Sequence, residues 1–398
     1  VTRPKVIHVT TTDMSLELLL GPQLRAFAEA GYEVVGASAP GPYVEAIEAA
    51  GIRHEPLHYA TRSMSVGRDA RATREMFQLF RREQPDIVHL HNPKPGWFGR
   101  PAAAAARVPG IVNTVHGLYA TEDDRLALRA VVYGLERFAA TWSDVELVQN
   151  PEDVDRLRWL RVPQRKLVTL GNGIDLGRFS PGAVDPAAVA RCRAELGGDE
   201  GTVLVGAVGR LVWEKGLREV FEAARLLRER CPRARLTVVG PLDPEKSDGL
   251  TAADLERITE ETGVVFPGER RDIEVVYGAL DAYVLASHRE GFPRSAMEAA
   301  AMGCPVIATD IRGCRQVVDH GRNGLLFPVG DAVALADAIA AVVDDDASRA
   351  AMGEAAIAKA AVEFDQQRVI DLTLDAYERV LRSPRRGRRR ARPAPARG

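Results

Sequence analysis

Cysteine is scarce: Cys192, Cys231, Cys304 and Cys314 are the only four in 398 residues. None forms a CxxC pair, and so few in so long a chain argue against a disulfide framework. They read as buried thiols of a reducing compartment. Long apolar runs are also missing. No stretch is long enough to span a bilayer as a helix. The stretch from Val1 to Thr12 reads as a strand behind a short basic lead-in, without the apolar core and small-residue cleavage site of a secretory signal. A glycine-rich dinucleotide fingerprint is lacking too. Neither Gly206 to Gly209 nor Gly171 to Gly177 gives GxGxxG between a strand and a helix, which argues against a dinucleotide oxidoreductase. Net charge is small, −2, but uneven. The segment 382–398 holds eight arginines and no acid; the other 45 basic residues face 55 acids, so the body carries −10. The Arg, Pro and Gly content of that tail predicts disorder. Such a tail suits an anionic lipid surface or nucleic acid, or is a solvated segment with no specific partner. The acidic body and the absence of a nucleic-acid motif argue against a nucleic-acid-binding module.

What is present is alternation. Short β-branched runs (Lys5–Thr10, Glu33–Ala37, Ile87–Leu90, Ile111–Thr114, Val145–Val148) are separated by helical patterns, several closed by glycine. These runs lack strict two-residue alternation, as expected of parallel strands covered on both faces. The stretch from Gly171 to Gly201 is rich in Gly, Pro and Asp and reads as a linker with a short helix near Ala187 to Leu196. A second alternating series then runs from Val203 to a long last helix, Asp365 to Leu381. The fold class is α/β, with two doubly wound sheets and ligands expected at strand C-terminal ends. The boundaries read as 1–175, a linker at 176–200, a second domain at 201–362, a last helix at 363–381 returning to the first domain, and the tail at 382–398.

The most informative stretch runs from Ser287 to Leu326. Glu290 follows a strand in a loop, and Gly291 allows close backbone approach. Pro293 suits a first helical turn. The helix start then offers the N–H groups of Arg294 and Ser295 to an anion such as a diphosphate. Glu298 follows on the same helix. One carboxylate on each side of a phosphate-binding helix start suits a nucleotide sugar.

Glu290 and Glu298 are separated by seven residues, and this EX7E spacing resembles glycosyltransferase family four. The resemblance extends to Gly209-Arg210-Leu211 with Lys215-Gly216, Val264 to Gly268, Asn172-Gly173-Ile174-Asp175, His116-Gly117, Pro305 to Asp310 and Asn323 to Asp331, in order along the chain. It implies a GT-B fold, with the two domains facing across a cleft, no metal requirement, no cofactor beyond the nucleotide-sugar co-substrate, and retention at the anomeric carbon. By motif match Arg210 and Lys215 clamp the diphosphate, Glu290 holds the donor sugar, Glu298 binds the ribose and His116 contacts the sugar or diphosphate edge. Gly291, Phe292, Arg294 and Ser295 complete the donor site, with Phe266 and Gly268 beside the base. Thr12, Asp13, His91, Asn92 and Lys94 fall on the acceptor side.

The Thr-rich first loop, HNPKPG, HGLY and DIRGCRQVV resemble most the capsule and O-antigen subgroup. That implies a hexose or N-acetylhexosamine moved from a UDP-sugar to a saccharide or polyprenyl-diphosphate-linked acceptor, by a cytoplasmic enzyme at the inner face of the plasma membrane. Alternatives are a nucleotide-sugar 2-epimerase of the same architecture, or transfer to a small molecule. The sequence departs from the family where Thr10 to Ser15 holds no glycine, and where Gln316 stands in place of a glutamate. His89 and His91 alternate on one strand, but no nearby Cys, Asp or Glu completes a metal set. Asp153-Val154-Asp155 and Asp344 to Asp346 spell DxD and read as exposed helix or turn residues.

Overall fold

The computed structural model describes residues 3–91, 93–120, 124–243, 246, 248–382 and 392–395. It comprises two compact units, Val1–Gly171 with Gln367–Gly398, and Asn172–Gln366.

The first unit is built on seven parallel strands: β1 (Lys5–Thr12), β2 (Glu33–Ala39), β3 (Arg53–Pro56), β4 (Ile87–His91), β5 (Gly110–Val115), β6 (Val145–Val148) and β7 (Leu167–Thr169). Their order is β3-β2-β1-β4-β5-β6-β7. Chain connections leave β1 and β4 in opposite directions, so the crevice at their C-terminal ends is the switch point of a doubly wound sheet. β4 and β5 are buried throughout and β1 at all but its two end residues, and separate apolar clusters lie around Leu24, Phe27 and Tyr377 and around Met76, Leu79 and Phe80. β1 and β4 are each followed by a π-helical turn, Ser15–Leu19 and Pro95–Gly99.

The second unit repeats the plan with β8 (Val203–Val208), β9 (Ala234–Val239), β10 (Val265–Gly268), β11 (Ala282–Leu285), β12 (Val306–Thr309) and β13 (Gly324–Phe327), ordered β10-β9-β8-β11-β12-β13. Its switch point lies between β8 and β11.

Several local readings change. β3 and β7 are absent from the sequence reading: β3 is an edge strand spelled Arg-His-Glu-Pro, with no apolar run to betray it. The stretch 176–200 is part of the second unit. Its helix Pro186–Glu195 is capped by Asp185, and Phe179, Cys192 and Leu196 sit in the unit's core. The helix Gln366–Arg382 groups with the first unit and buries Tyr377 and Leu374 there. Within the tail, residues 392–395 are docked rather than disordered. The Arg392 amide donates to Asp86, its guanidinium pairs with Asp86 and Glu33, and Ala394 packs on the first core. Asp153 is not exposed: it is buried in the helix Pro151–Trp159 and accepts the Leu118 amide at 3.0 Å. All four cysteines are free and buried. Among the described residues, no helix is long and apolar enough to cross a membrane.

Candidate active site

In the second unit, the C-terminal ends of β8 and β11 and the turn after β8 enclose a cavity of about 300 Å³ including its mouth, bordered by Gly209, Arg210, Lys215 and Ala286. The turn holds its shape because residue 216 is glycine. Gly216 has φ +69°, and a Cβ there would lie 1.9 Å from the Ala286 carbonyl oxygen. Only glycine tolerates both conditions. The Lys215 ammonium donates to Glu290 Oε1 at 2.7 Å. Arg210 Nη1 pairs with Asp243 at 2.7 Å, a partner with no sequence motif to announce it. Gly313 packs against the backbone of Glu290, where a Cβ would meet its carbonyl oxygen at 2.6 Å.

The helix carrying Glu298 runs Arg294–Ala301. Pro293 is its N-cap with ψ 112°, one position earlier than the expected first turn, and its ring offers no side-chain cap. Glu298 is 15% exposed, accepts from the Tyr277 hydroxyl at 3.2 Å and lies 3.9 Å from the Arg294 guanidinium. Burial pushes its carboxyl above the usual range, against the pull of Arg294 and the Tyr277 hydroxyl. Gly291 and Ser295 lie at the same helix start. The Phe292 carbonyl accepts from Asn172 Nδ2 at 3.1 Å, so Phe292 ties this loop to the start of the unit. Phe266 packs edge-on to Phe221 at 5.7 Å, and the Gly268 carbonyl accepts the Gly240 amide at 2.9 Å.

In the first unit the expected acceptor residues have unequal freedom. Asp13 is buried and holds the loop after β2 by accepting the Tyr43 amide at 2.7 Å. Lys94 donates to the carbonyls of Thr61 and Ser63, both at 2.8 Å, and pairs with Asp69. Its three N–H groups are thereby committed. Thr12 Oγ1 lies 3.2 Å from Ser15 Oγ. Asn92 lies outside the described residues.

His91 belongs to a larger assembly. Paired register sets His8 on β1 beside His89 on β4. His8 Nδ1 lies 3.0 Å from His91 Nε2, and His91 Nδ1 lies 3.1 Å from His116 Nε2. Tyr377, from the last helix, bridges His8 Nε2 at 3.2 Å and His89 Nδ1 at 2.6 Å. His89 Nε2 meets Thr114 Oγ1 at 2.7 Å. Of the six nitrogens of His8, His89 and His91, one from each ring lies within 4.8 Å of the other two, close enough to hold a metal. All six are already engaged by each other, Tyr377, Thr114 or His116, so an ion would have to break these bonds.

Burial lowers the pKa of His8 to about 3 and that of His116 to about 4, the latter against support from the Gln149 side chain. Burial, and then the neighbouring imidazoles, hold His89 and His91 well below the ordinary value. All four rings are therefore neutral at pH 7. Each neutral imidazole has one N–H and the tyrosine one O–H, so the chain from Thr114 to His116 runs in one of two directions. The buried Thr114 hydroxyl makes no other hydrogen bond among the described residues. Donation to His89 uses its proton but leaves one on His116 Nδ1, which has no acceptor, while the reverse strands the Thr114 proton, each at about 1–3 kcal/mol.

This network fixes a pH dependence. The unfolded chain binds protons at these histidines near pH 6.5, while the folded rings take them up only near pH 3–4 for His8 and His116. Stability should be full above pH 6.5 and fall as pH drops toward 4, with a slope of up to about 1.4 kcal/mol per pH unit for each proton excluded. Urea midpoints between pH 7.5 and 4.5 measure it; a flat profile would show that the rings are not held neutral.

Behind His116, β5 and the Pro95–Gly99 turn border a second group absent from the sequence reading. Arg100, fully buried, donates to Glu136 at 2.6 Å and Glu146 at 2.7 Å. Asn113 Nδ2 donates to Glu146 at 2.8 Å and Trp97 Nε1 to Glu136 at 2.8 Å. The one sequence signal was a polar Asn-Thr pair inside an otherwise apolar strand.

Comparison with known proteins bears on both units. The profile described as Glycosyltransferase Family 4 matches residues 23–178, and that described as Glycosyl transferases group 1 matches residues 190–359. The chain is 30% identical to an Escherichia coli UDP-Gal:alpha-D-GlcNAc-diphosphoundecaprenol alpha-1,3-galactosyltransferase, over 71% of this chain and 73% of that one. It is 26% identical to the capsular polysaccharide biosynthesis glycosyltransferase CapM of Staphylococcus aureus, over 95% and 98% of the two chains. The crystal structure of Anabaena HepE in complex with UDP and glucose superposes with a TM-score of 0.77 at 22% identity, over 94% of this chain and 99% of that one. Two doubly wound parallel sheets in one chain are the GT-B fold, and with both family profiles matched and 30% identity over 73% of that galactosyltransferase the chain belongs to glycosyltransferase family four.

Proposed function

We propose that the protein transfers a hexose or N-acetylhexosamine from a UDP-sugar to a saccharide or polyprenyl-diphosphate-linked acceptor, with retention at the anomeric carbon and without a metal, in cell-surface polysaccharide synthesis. The observation that carries this reading is the placing of Arg210 and Lys215 on one cavity at the β8/β11 switch point, with Glu290 bonded to Lys215. Two cations there suit a diphosphate, and they matter most as charge develops on its leaving oxygen. Lys215 has three N–H groups and can keep Glu290 while reaching a phosphate. Glu290 is then placed for donor-sugar hydroxyls and Glu298 for the ribose. The acceptor hydroxyl forms its new bond to the anomeric carbon on the face the diphosphate leaves. Its proton passes to the departing phosphate oxygen. Support for the acceptor class comes from the relatives, one of which is named for a diphosphoundecaprenol acceptor.

Glu298→Ala should weaken UDP binding roughly ten- to hundred-fold, the loss of charge-assisted hydrogen bonds worth about 1.5–3 kcal/mol. Calorimetry checks it, and unchanged affinity would remove the ribose role. Hydrolysis or thermal stabilisation across UDP-, GDP-, ADP- and dTDP-sugars in EDTA tests donor and metal together. Anomeric NMR of the product tests retention, and an inverted product would exclude it.

Contact with anionic membrane through 382–398 is also part of this reading and rests on charge alone. Arg392 is occupied by Asp86 and Glu33, so the lipid contact falls to the other arginines of the tail. Substituting them should lower co-sedimentation with anionic vesicles; equal binding would remove the role.

A further inference from the structure

Lys215 and Glu290 meet across two separate segments: the turn that enters the helix Leu217–Arg230, and the loop between β11 and the helix Arg294–Ala301. The stretch 286–290 is anchored at both ends. The Ala286 carbonyl packs on Gly216, and the Ser287 carbonyl accepts the Thr309 hydroxyl at 2.6 Å. Gly313 backs Glu290 itself. Between these anchors the His288 amide reaches the Glu214 carbonyl only at 3.3 Å. A shorter link is made by side chains: His288 Nε2 lies 2.9 Å from Glu219 Oε1. A carboxylate only accepts, so the ring donates from Nε2. Glu219 stands four residues after Lys215, and His288 two before Glu290. This bond therefore joins the same two segments as the Lys215–Glu290 pair.

His288 is 44% exposed, and a pair with an exposed partner contributes little to stability by itself. Glu219 is less free. Its side chain is 12% exposed, and its Oε2 is buried without a hydrogen-bond partner. His288 is thus the one side chain among the described residues that answers this carboxylate. We propose that Glu219 and His288 are positioning residues for the transfer reaction, holding the Glu290 loop against the Lys215 turn while a bound donor competes for Lys215 and Glu290. A phosphate draws on the Lys215 ammonium and sugar hydroxyls on the Glu290 carboxylate, so the ligand weakens the pair that joins the segments at rest. Glu219 and His288 do not border the cavity and keep their bond. They act through the placing of the ammonium. A misplacement of about 1 Å at a reacting centre can cost about 10²-fold in rate.

The proposal rests on the transferase reading of this site, and turnover of the full chain across UDP-, GDP-, ADP- and dTDP-sugars separates the two. An inactive wild type sinks that reading and this one with it; an active wild type with fully active variants sinks only this one. His288→Ala and Glu219→Ala should each lower turnover about tenfold, with UDP affinity by calorimetry changed less than about twofold. The double variant should be no slower than either single one, because both remove the same bond. His288→Gln, which keeps a donor for the carboxylate, should recover most of the rate. In a Lys215→Ala background His288→Ala should cost nothing further, since no ammonium is left to place. Full turnover in both alanine variants, an equal loss of UDP affinity, no recovery with glutamine, or a loss that multiplies with that of Lys215→Ala would overturn the proposal. If Glu219→Ala does not fold, the exposed His288 decides through its alanine and glutamine variants.

Discussion

Replacing Lys215 with alanine should lower turnover by about 10²–10³ while changing UDP affinity far less. The asymmetry follows from when the charge is needed. In the resting site Lys215 is already paired with Glu290 at 2.7 Å, so part of its charge is neutralised before any ligand arrives. Binding to a ground-state diphosphate gains the remainder. As the anomeric bond breaks, a further negative charge gathers on the leaving oxygen, and a pre-placed ammonium stabilises that charge without reorganisation. Removing one such donor from an enzyme site costs about 2.7–4 kcal/mol of barrier. The alanine variant also leaves Glu290 without its partner beside an incoming anion, which adds to the loss. Lys215→Arg should recover little, because a planar fork does not replace a compact ammonium beside Glu290. Steady-state kinetics with UDP calorimetry separate the two quantities. Lower UDP affinity with unchanged turnover would mean that Lys215 binds ground state and transition state alike.

Arg100→Ala should be the most damaging single change to stability. The side chain is fully buried and spends its donors on Glu136, Glu146 and the Gly96 carbonyl, the last at 2.6 Å. Burial opposes its charge, but the two carboxylates more than offset this and hold the guanidinium above its ordinary pKa. With the arginine gone, two buried carboxylates face each other uncompensated. Breaking such a group by removing one partner costs about 3–5 kcal/mol, a large share of a typical stability of about 5–15 kcal/mol. Leucine should do no better, since it fills volume but leaves both charges. Chemical denaturation of the first unit's transition checks this; a shift under about 1 kcal/mol would place the trio among ion pairs of surface strength.

The two predictions rest on residues of very different visibility. Lys215, Glu290 and Glu298 could be read from the sequence because each lies in a short motif whose spacing reflects one turn or one helix. Gly216 shows why such a motif is rigid: it meets the Ala286 carbonyl in a conformation open to glycine. The two sheets were equally legible, since buried parallel strands spell themselves as apolar runs. β3 was not, because an edge strand of Arg, His, Glu and Pro makes its bonds through the backbone alone. The histidine chain was half visible. His89 and His91 alternate on one strand, but His8 joins them only once β1 is known to lie beside β4, and Tyr377 arrives from 288 positions beyond His89. No local pattern carries that information. Asn113 was open to notice as an amide inside an apolar strand, and its bond to Glu146 appears only once β5 is known to lie beside β6. Lys94 illustrates the reverse case: a lysine in a glycine- and proline-rich loop after a strand looks free to bind, yet its ammonium is committed to Thr61, Ser63 and Asp69.

The central claim is that the second unit binds a uridine diphosphate through Arg210, Lys215 and Glu298 without a metal. Calorimetric titration of the full chain with UDP in EDTA tests it most directly. The account predicts saturable binding at one site per chain, weakened in Arg210→Ala and Glu298→Ala. No heat with UDP, GDP, ADP or dTDP, or binding that appears only when a divalent cation is restored, would contradict it.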